Sequence, residues 1–126
     1  MKKSILFLIF TIVVGLTSKA QVQISGNFMK SKASYTVYEM QKDSTFKEVL
    51  SVNNKRGYSA TIEPNTYYVF KFTNKDNKTK YMRFYSYQNA NVEIDVEFKT
   101  TKNAFVVVKN NRPHVKRTNE PLLVTR

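Results

Sequence analysis

No cysteine occurs anywhere in the 126 residues. Its absence excludes disulfide staples, zinc sites built on thiolates and a leader of the acylated lipoprotein type. Tryptophan is also missing, and glycine and proline number three each, so the chain is neither collagen-like nor of low complexity. The single histidine, His114, stands beside Arg112, Lys116 and Arg117, with Glu120 the nearest acid in sequence. One imidazole cannot build a histidine zinc centre, and His114 lacks the oriented carboxylate and the nucleophile that a catalytic base needs. It reads as an exposed loop residue. No metal, no cofactor and no enzymatic activity are expected.

What is present begins with the N-terminus. Lys2 and Lys3 precede an almost wholly apolar run from Ile5 to Leu16, and Ser18-Lys19-Ala20 follows with small residues where a signal peptidase reads. This three-part layout predicts a cleavable secretory signal over 1–20, helical in its apolar part and cut after Ala20. The uncharged stretch falls short of the roughly 20 residues a spanning helix needs, and no later apolar run is long enough to span. The product is expected to be exported, to the periplasm or beyond, with no membrane span after cleavage.

Charge is one-sided. Lys2, Lys3 and Lys19 are the only charges in the first twenty residues, so 21–126 keep 18 basic side chains against 9 acidic ones, a formal charge of +9. Such a balance steers a protein towards anionic partners and also keeps it soluble; it says nothing of fold.

Eight tyrosines and nine phenylalanines are spread through segments with a period of two, the mark of β-strands. Strands are predicted at 21–29, 33–40, 45–52, 58–63, 66–73, 81–87 and 92–98, with an eighth at 105–108. A short helix would also fit Lys47-Glu48-Val49-Leu50. Gln41-Lys42-Asp43-Ser44, Asn53-Asn54-Lys55-Arg56-Gly57 and Asn74-Lys75-Asp76-Asn77-Lys78 read as turns, Gly26 as a bulge or turn, and Pro64-Asn65 as a strand break. The segment 66–73 is apolar on both faces and so belongs in the middle of a sheet. In 92–98, Val92, Ile94, Val96 and Phe98 point inward and Glu93, Asp95 and Glu97 outward. Seven to eight short strands, with turn signals roughly every 8–12 residues, predict an all-β sandwich or barrel. The expected organisation is a signal over 1–20, a sandwich over 21–109 and a basic tail over 110–126. The tail holds a basic loop from Asn110 to His114 and ends either in an edge strand or frayed.

Two segments carry a family resemblance. Ile24-Ser25-Gly26-Asn27-Phe28 resembles the opening strand of the transthyretin-like or carboxypeptidase-regulatory-like modules. Tyr58-Ser59-Ala60-Thr61-Ile62-Glu63-Pro64-Asn65-Thr66-Tyr67-Tyr68-Val69-Phe70 resembles their hairpin, in which a strand ends at a proline turn and the next starts with tyrosine. Asn65 stands where the family usually has glycine, and only Arg56-Gly57 stands for its aspartate-glycine turn. The resemblance implies an immunoglobulin-like or transthyretin-like β-sandwich of about seven to eight strands, a module that supports, binds or presents something rather than one that catalyses.

Three polar features remain. Glu93, Asp95 and Glu97 share one strand face with alternate Cα atoms about 6.5–7 Å apart. They suit a hard cation, the carboxylate pair of a weak hydrolase, or a solvated outer face paired with Lys71 or Arg83. Asn77-Lys78-Thr79 fits a glycosylation sequon, which a bacterial-looking leader makes a chance match. Tyr81, Arg83, Tyr85 and Tyr87 form a stripe opposite Met82 and Phe84. It reads either as core with Arg83 at the edge, the reading favoured by apolarity, or as a stacking platform for a glycan or single-stranded nucleic acid. The candidate site for an anionic ligand is Lys75, Lys78, Lys80, Arg83, Tyr85 and Tyr87. The expected function is a small basic binding or structural module contacting an anionic envelope polymer or a protein partner. The alternatives are a hydrolase or accessory domain using Glu93, Asp95 or Glu97, and an exported nucleic-acid-binding protein.

Overall fold

In the structure, a computed structural model that describes residues 21–99 and 102–119, nine strands form two sheets facing one another. They are β1 (Val22–Asn27), β2 (Ala33–Met40), β3 (Phe46–Lys55), β4 (Gly57–Ile62), β5 (Tyr67–Asn74), β6 (Thr79–Ser86), β7 (Asn91–Glu93), β8 (Asn103–Lys109) and β9 (Arg112–Thr118). The small sheet runs β4-β1-β7 and the large one β3-β2-β5-β6-β8-β9. β1–β7 and β6–β8 are parallel pairs and all other neighbours antiparallel. No helix occurs among the described residues; the expected signal lies outside them.

The core fills the space between the sheets. Val22 and Ile24 of β1, Ala60 and Ile62 of β4, Val37 of β2, Phe70 and Phe72 of β5, Met82 and Phe84 of β6, and Val106 and Val108 of β8 are all buried in it. Each is one residue in two along its strand, so one face of each strand packs inward. Burying each large side chain stabilises by roughly 1.5–3 kcal/mol. Rings carrying a hydroxyl bury their bodies and satisfy their tips. The Tyr58 Oη donates to the Ile94 carbonyl at 2.6 Å, and the Tyr68 Oη accepts from the Glu63 N–H at 3.0 Å.

Several expectations change. Among the described residues there are nine strands, not seven or eight. Asn53, Asn54 and Lys55 extend β3 instead of turning, and Arg56 alone separates it from β4. β3 is an edge strand, so polar side chains on it stay in water, and two irregularities in its register with β2 absorb the mismatch. The segment around Lys47-Glu48-Val49-Leu50 is strand. β4 and β5 lie in different sheets, so the segment from Tyr58 to Phe70 is a crossover and not a hairpin. Of the expected strand at 92–98 only Val92 and Glu93 form a ladder, as part of β7; Val96 adds an isolated bridge to Phe28. Arg112–Thr118, where a basic loop to His114 and a tail ending either in an edge strand or frayed were expected, is an edge strand paired along its length with β8. The hairpin between them turns on Asn110 and Asn111, at φ of 52° and 60°.

The turns use asparagine where glycine would be usual. The side chain of Asn74 accepts from the Asp76 and Lys78 N–H groups at 3.0 and 2.9 Å, shaping the β5–β6 turn. Asn65 has φ 57°, and its N–H donates to the Ser86 carbonyl at 2.6 Å. The left-handed region costs a Cβ-bearing residue about 1–2 kcal/mol, which asparagine offsets by local hydrogen bonding. Asn65→Ala is therefore expected to lower stability by about 1 kcal/mol and Asn65→Gly to leave it level or higher. Urea midpoints of the two variants check this; an alanine variant as stable as the parent contradicts it.

Candidate functional site

The small sheet covers one face of the large sheet. Among the described residues, no element covers the other, outer face. Side chains on that face run in rows across the strands. One row crosses the whole sheet: Glu48, Tyr38, Val69, Arg83, Phe105 and Lys116 are successive register partners. A second reads Tyr67, Tyr85, Val107 and His114, and at the β2–β3 edge Met40 pairs with Phe46, whose ring meets Tyr67. Thr36, Lys71 and Tyr81 lie in a third. Beyond β6, Tyr87 is half exposed, and the Lys109 Nζ lies 5.5 Å from its ring centre.

The face thus carries seven rings (Tyr38, Phe46, Tyr67, Tyr81, Tyr85, Tyr87 and Phe105), all partly exposed. Lys71, Arg83, Lys109, Arg112 and Lys116 stand among them. Glu48, at the β3 edge, is the one carboxylate in these rows. Phe46 and Tyr67 rings lie 6.2 Å apart and Tyr85 and Tyr87 4.7 Å apart. Val69 is fully buried yet stands apart from the core cluster, so the face has an apolar centre of its own.

Arg83 has a particular seating. Its guanidinium carbon lies 4.4 Å over the Phe105 ring, a cation–π contact. Its Nε is buried and has no hydrogen-bond partner among the described residues. An open depression of about 450 Å³ lies between Arg83, Phe105, Lys116 and Thr118.

The six residues expected to form one site are therefore split. Arg83, Tyr85 and Tyr87 belong to the outer face. The preference for placing the tyrosine stripe in the core is overturned: β6 turns Met82 and Phe84 inward, with Lys80 and Ser86 at the two ends of the same face. Tyrosine and arginine keep their polar tips in water while their stems cover Val69. Lys80 is 5% exposed and lines a small cavity of about 20 Å³ with Glu97, Lys102 and Arg117, room for about one water. Burial lowers the pKa of Lys80 and the charge of Arg117 lowers it further, while Glu97 opposes both. Lys75 and Lys78 sit in the exposed β5–β6 turn. Lys75 also borders a basic cleft at one end of the sandwich, lined by Phe28, Lys30, Lys32 and Arg56.

The three carboxylates do not act together either. Glu93 is in the small sheet, away from Lys71 and Arg83 in the large one, so the expected cross-sheet pairing is absent. Asp95 accepts from the Asn27 N–H at 2.9 Å, and Glu97 lines the cavity beside Lys80. Burial, and after it Asp95 and Glu93, pushes the Tyr58 phenol far above its ordinary pKa. Among the described residues no three His, Asp or Glu side chains converge on a metal-sized site. His114 is exposed on β9 opposite Val107. Sequence reasoning missed Phe105, Lys109, Arg112 and Lys116. The Asn110-Asn111 pair was the available signal, since two residues suited to positive φ between strand-length segments mark a hairpin.

No family model matches this chain, and no curated protein matches it. Among solved structures ten chains match. One is the NMR structure of a protein from Eubacterium rectale, 10% identical, with 80% of this chain and 91% of that one covered and a TM-score of 0.34.

Proposed function

We propose that this is an exported, non-enzymatic binding module, a transthyretin-like sandwich whose outer six-stranded face holds an acidic polysaccharide of an envelope or matrix. The observation that carries this reading is the interleaving of seven partly exposed rings with five cations on a face with one carboxylate. Tyrosine offers an apolar body with a polar tip. The apolar C–H side of a sugar ring stacks on such a body, its hydroxyls meet the phenols, and its acidic substituents meet the cations. Protein-binding patches are built around contiguous exposed apolar area. Here the aliphatic centre, Val69, is already covered.

The test separates stacking from plain charge. Tyr85→Ala with Tyr87→Ala is expected to weaken binding to an immobilised acidic polysaccharide, with heparin and polygalacturonate as probes, about tenfold or more, equivalent to about 1.4 kcal/mol. Lys32→Gln with Lys75→Gln removes two charges from the end cleft and is expected to change affinity less than about threefold at 0.15 M salt, where distant charges are largely screened. A stronger loss in the lysine variant overturns the reading. Tighter binding to single-stranded DNA than to either polysaccharide reassigns the face to nucleic acid.

A further inference from the structure

The depression at the β6–β8–β9 end of the outer face holds a cation with no anion lining it among the described residues. Arg83, Phe105 and Lys116 are consecutive partners in one row. With strands about 4.8 Å apart, the Arg83 and Lys116 backbones stand on the order of 10 Å apart with the Phe105 ring between them. The ring supports one flat side of the guanidinium. That contact leaves the guanidinium N–H groups to find acceptors elsewhere. Nε, half of the side-on fork that meets two oxygens at once, is buried without a partner among the described residues. Native proteins pair nearly all buried donors. The depression of about 450 Å³ beside it is bordered by Lys116, a second cation, and by Thr118.

We propose that this depression is a seat for one oxyanion substituent, a carboxylate, sulfate or phosphate group, taken side-on by the Arg83 fork and closed by Lys116. The proposal rests on the reading of the outer face as a polysaccharide surface, for which it names the group recognised. Arginine serves here where lysine would not, because a point charge neither stacks on Phe105 nor presents two parallel donors.

The test follows the Arg83 Nε–H resonance and the Phe105 and Lys116 amides by ¹⁵N–¹H NMR of the 21–126 chain. Acetate, sulfate or inorganic phosphate replaces chloride at constant ionic strength. At least one oxyanion is expected to give saturable shifts at all three positions. Whichever does so identifies the group, and a polymer bearing that group is expected to outbind one of equal charge density bearing another. Arg83→Lys keeps the charge and is expected to abolish saturation, while Lys116→Gln, at an exposed site that leaves the fold untouched, is expected to weaken it severalfold. Shifts no larger than in chloride for all three oxyanions overturn the seat, as does unaltered saturation in Arg83→Lys. If polysaccharide binding persists in either case, the seat fails and the polysaccharide surface stands. If small oxyanions saturate but no acidic polysaccharide binds, the seat stands and the surface reading fails.

Discussion

Gly26→Ala is expected to cost about 4 kcal/mol or more and to leave little folded protein at 37 °C. A Cβ at Gly26 would lie 1.8 Å from the Ile94 carbonyl oxygen, 2.6 Å from its carbon and 2.7 Å from the Tyr58 ring. Two of these are backbone atoms, which no rotamer change can move. The segment around Ile94 is fastened by the Ile94 N–H to the Ser25 carbonyl, by the Val96 N–H to the Asn27 carbonyl, and by Tyr58 on the Ile94 carbonyl. Relief requires peeling that segment from β1 and losing these bonds, each worth about 1 kcal/mol net, besides the ordinary overpacking cost of about 1–3 kcal/mol. A domain of this size has about 5–15 kcal/mol in all. Guanidinium unfolding followed by circular dichroism measures the loss, and a variant within about 1 kcal/mol of the parent contradicts the close approach. Gly26 is thus neither the bulge nor the turn that its sequence context suggests. It is a ladder residue opposite Tyr58, glycine because another backbone crosses it.

How far the fold could be read follows from the same kind of detail. β5 was legible, with its central place, because Phe70 and Phe72 face the core while Tyr67 and Val69 serve the outer patch. The β2–β3 turn was legible because Asp43 bonds the N–H and hydroxyl of Thr45 locally. β6 was legible as a strand but not in its orientation. Both of its faces are apolar, a period of two does not say which one is inside, and the buried Lys80 marks the core face as if it were the wet one. β9 was legible only as the edge-strand alternative for the tail, without bounds or partner, because a strand exposed on both sides needs no apolar alternation. The parallel pairs β1–β7 and β6–β8 are long-range, and no local pattern encodes them. The site followed suit. Arg83, Tyr85 and Tyr87 were found on their own strand, whereas Phe105 and Lys116 reach Arg83 only through those pairings.

Phe28→Ala is expected to cost about 3–5 kcal/mol, the range for removing a buried ring. Phe28 follows β1 and bridges to Val96. Its ring meets Phe72 edge-on at 5.5 Å, Tyr58 at 5.9 Å, Phe98 at 6.0 Å and Tyr35 at 6.2 Å. Tyr35 and Phe72 belong to the large sheet and Tyr58 to the small one, so this one side chain ties the sheets together beyond the strand ladders. Ring pairs of this kind add about 0.5–1.5 kcal/mol each beyond burial, which places the expected loss at the upper part of the range. The guanidinium midpoint should fall with the slope unchanged, and Phe28→Leu, which keeps most of the volume, should cost less than half as much. A loss below about 1.5 kcal/mol for the alanine variant contradicts the bridging role. Because Phe28 lies between the sheets and the rings of the outer face lie on the far side of the large sheet, polysaccharide affinity measured at a temperature where the variant is still folded should match the parent. Under the proposed polysaccharide reading, stability and recognition then separate by face: Met82 and Phe84 of β6 serve the first, Arg83 and Tyr85 between and beside them the second.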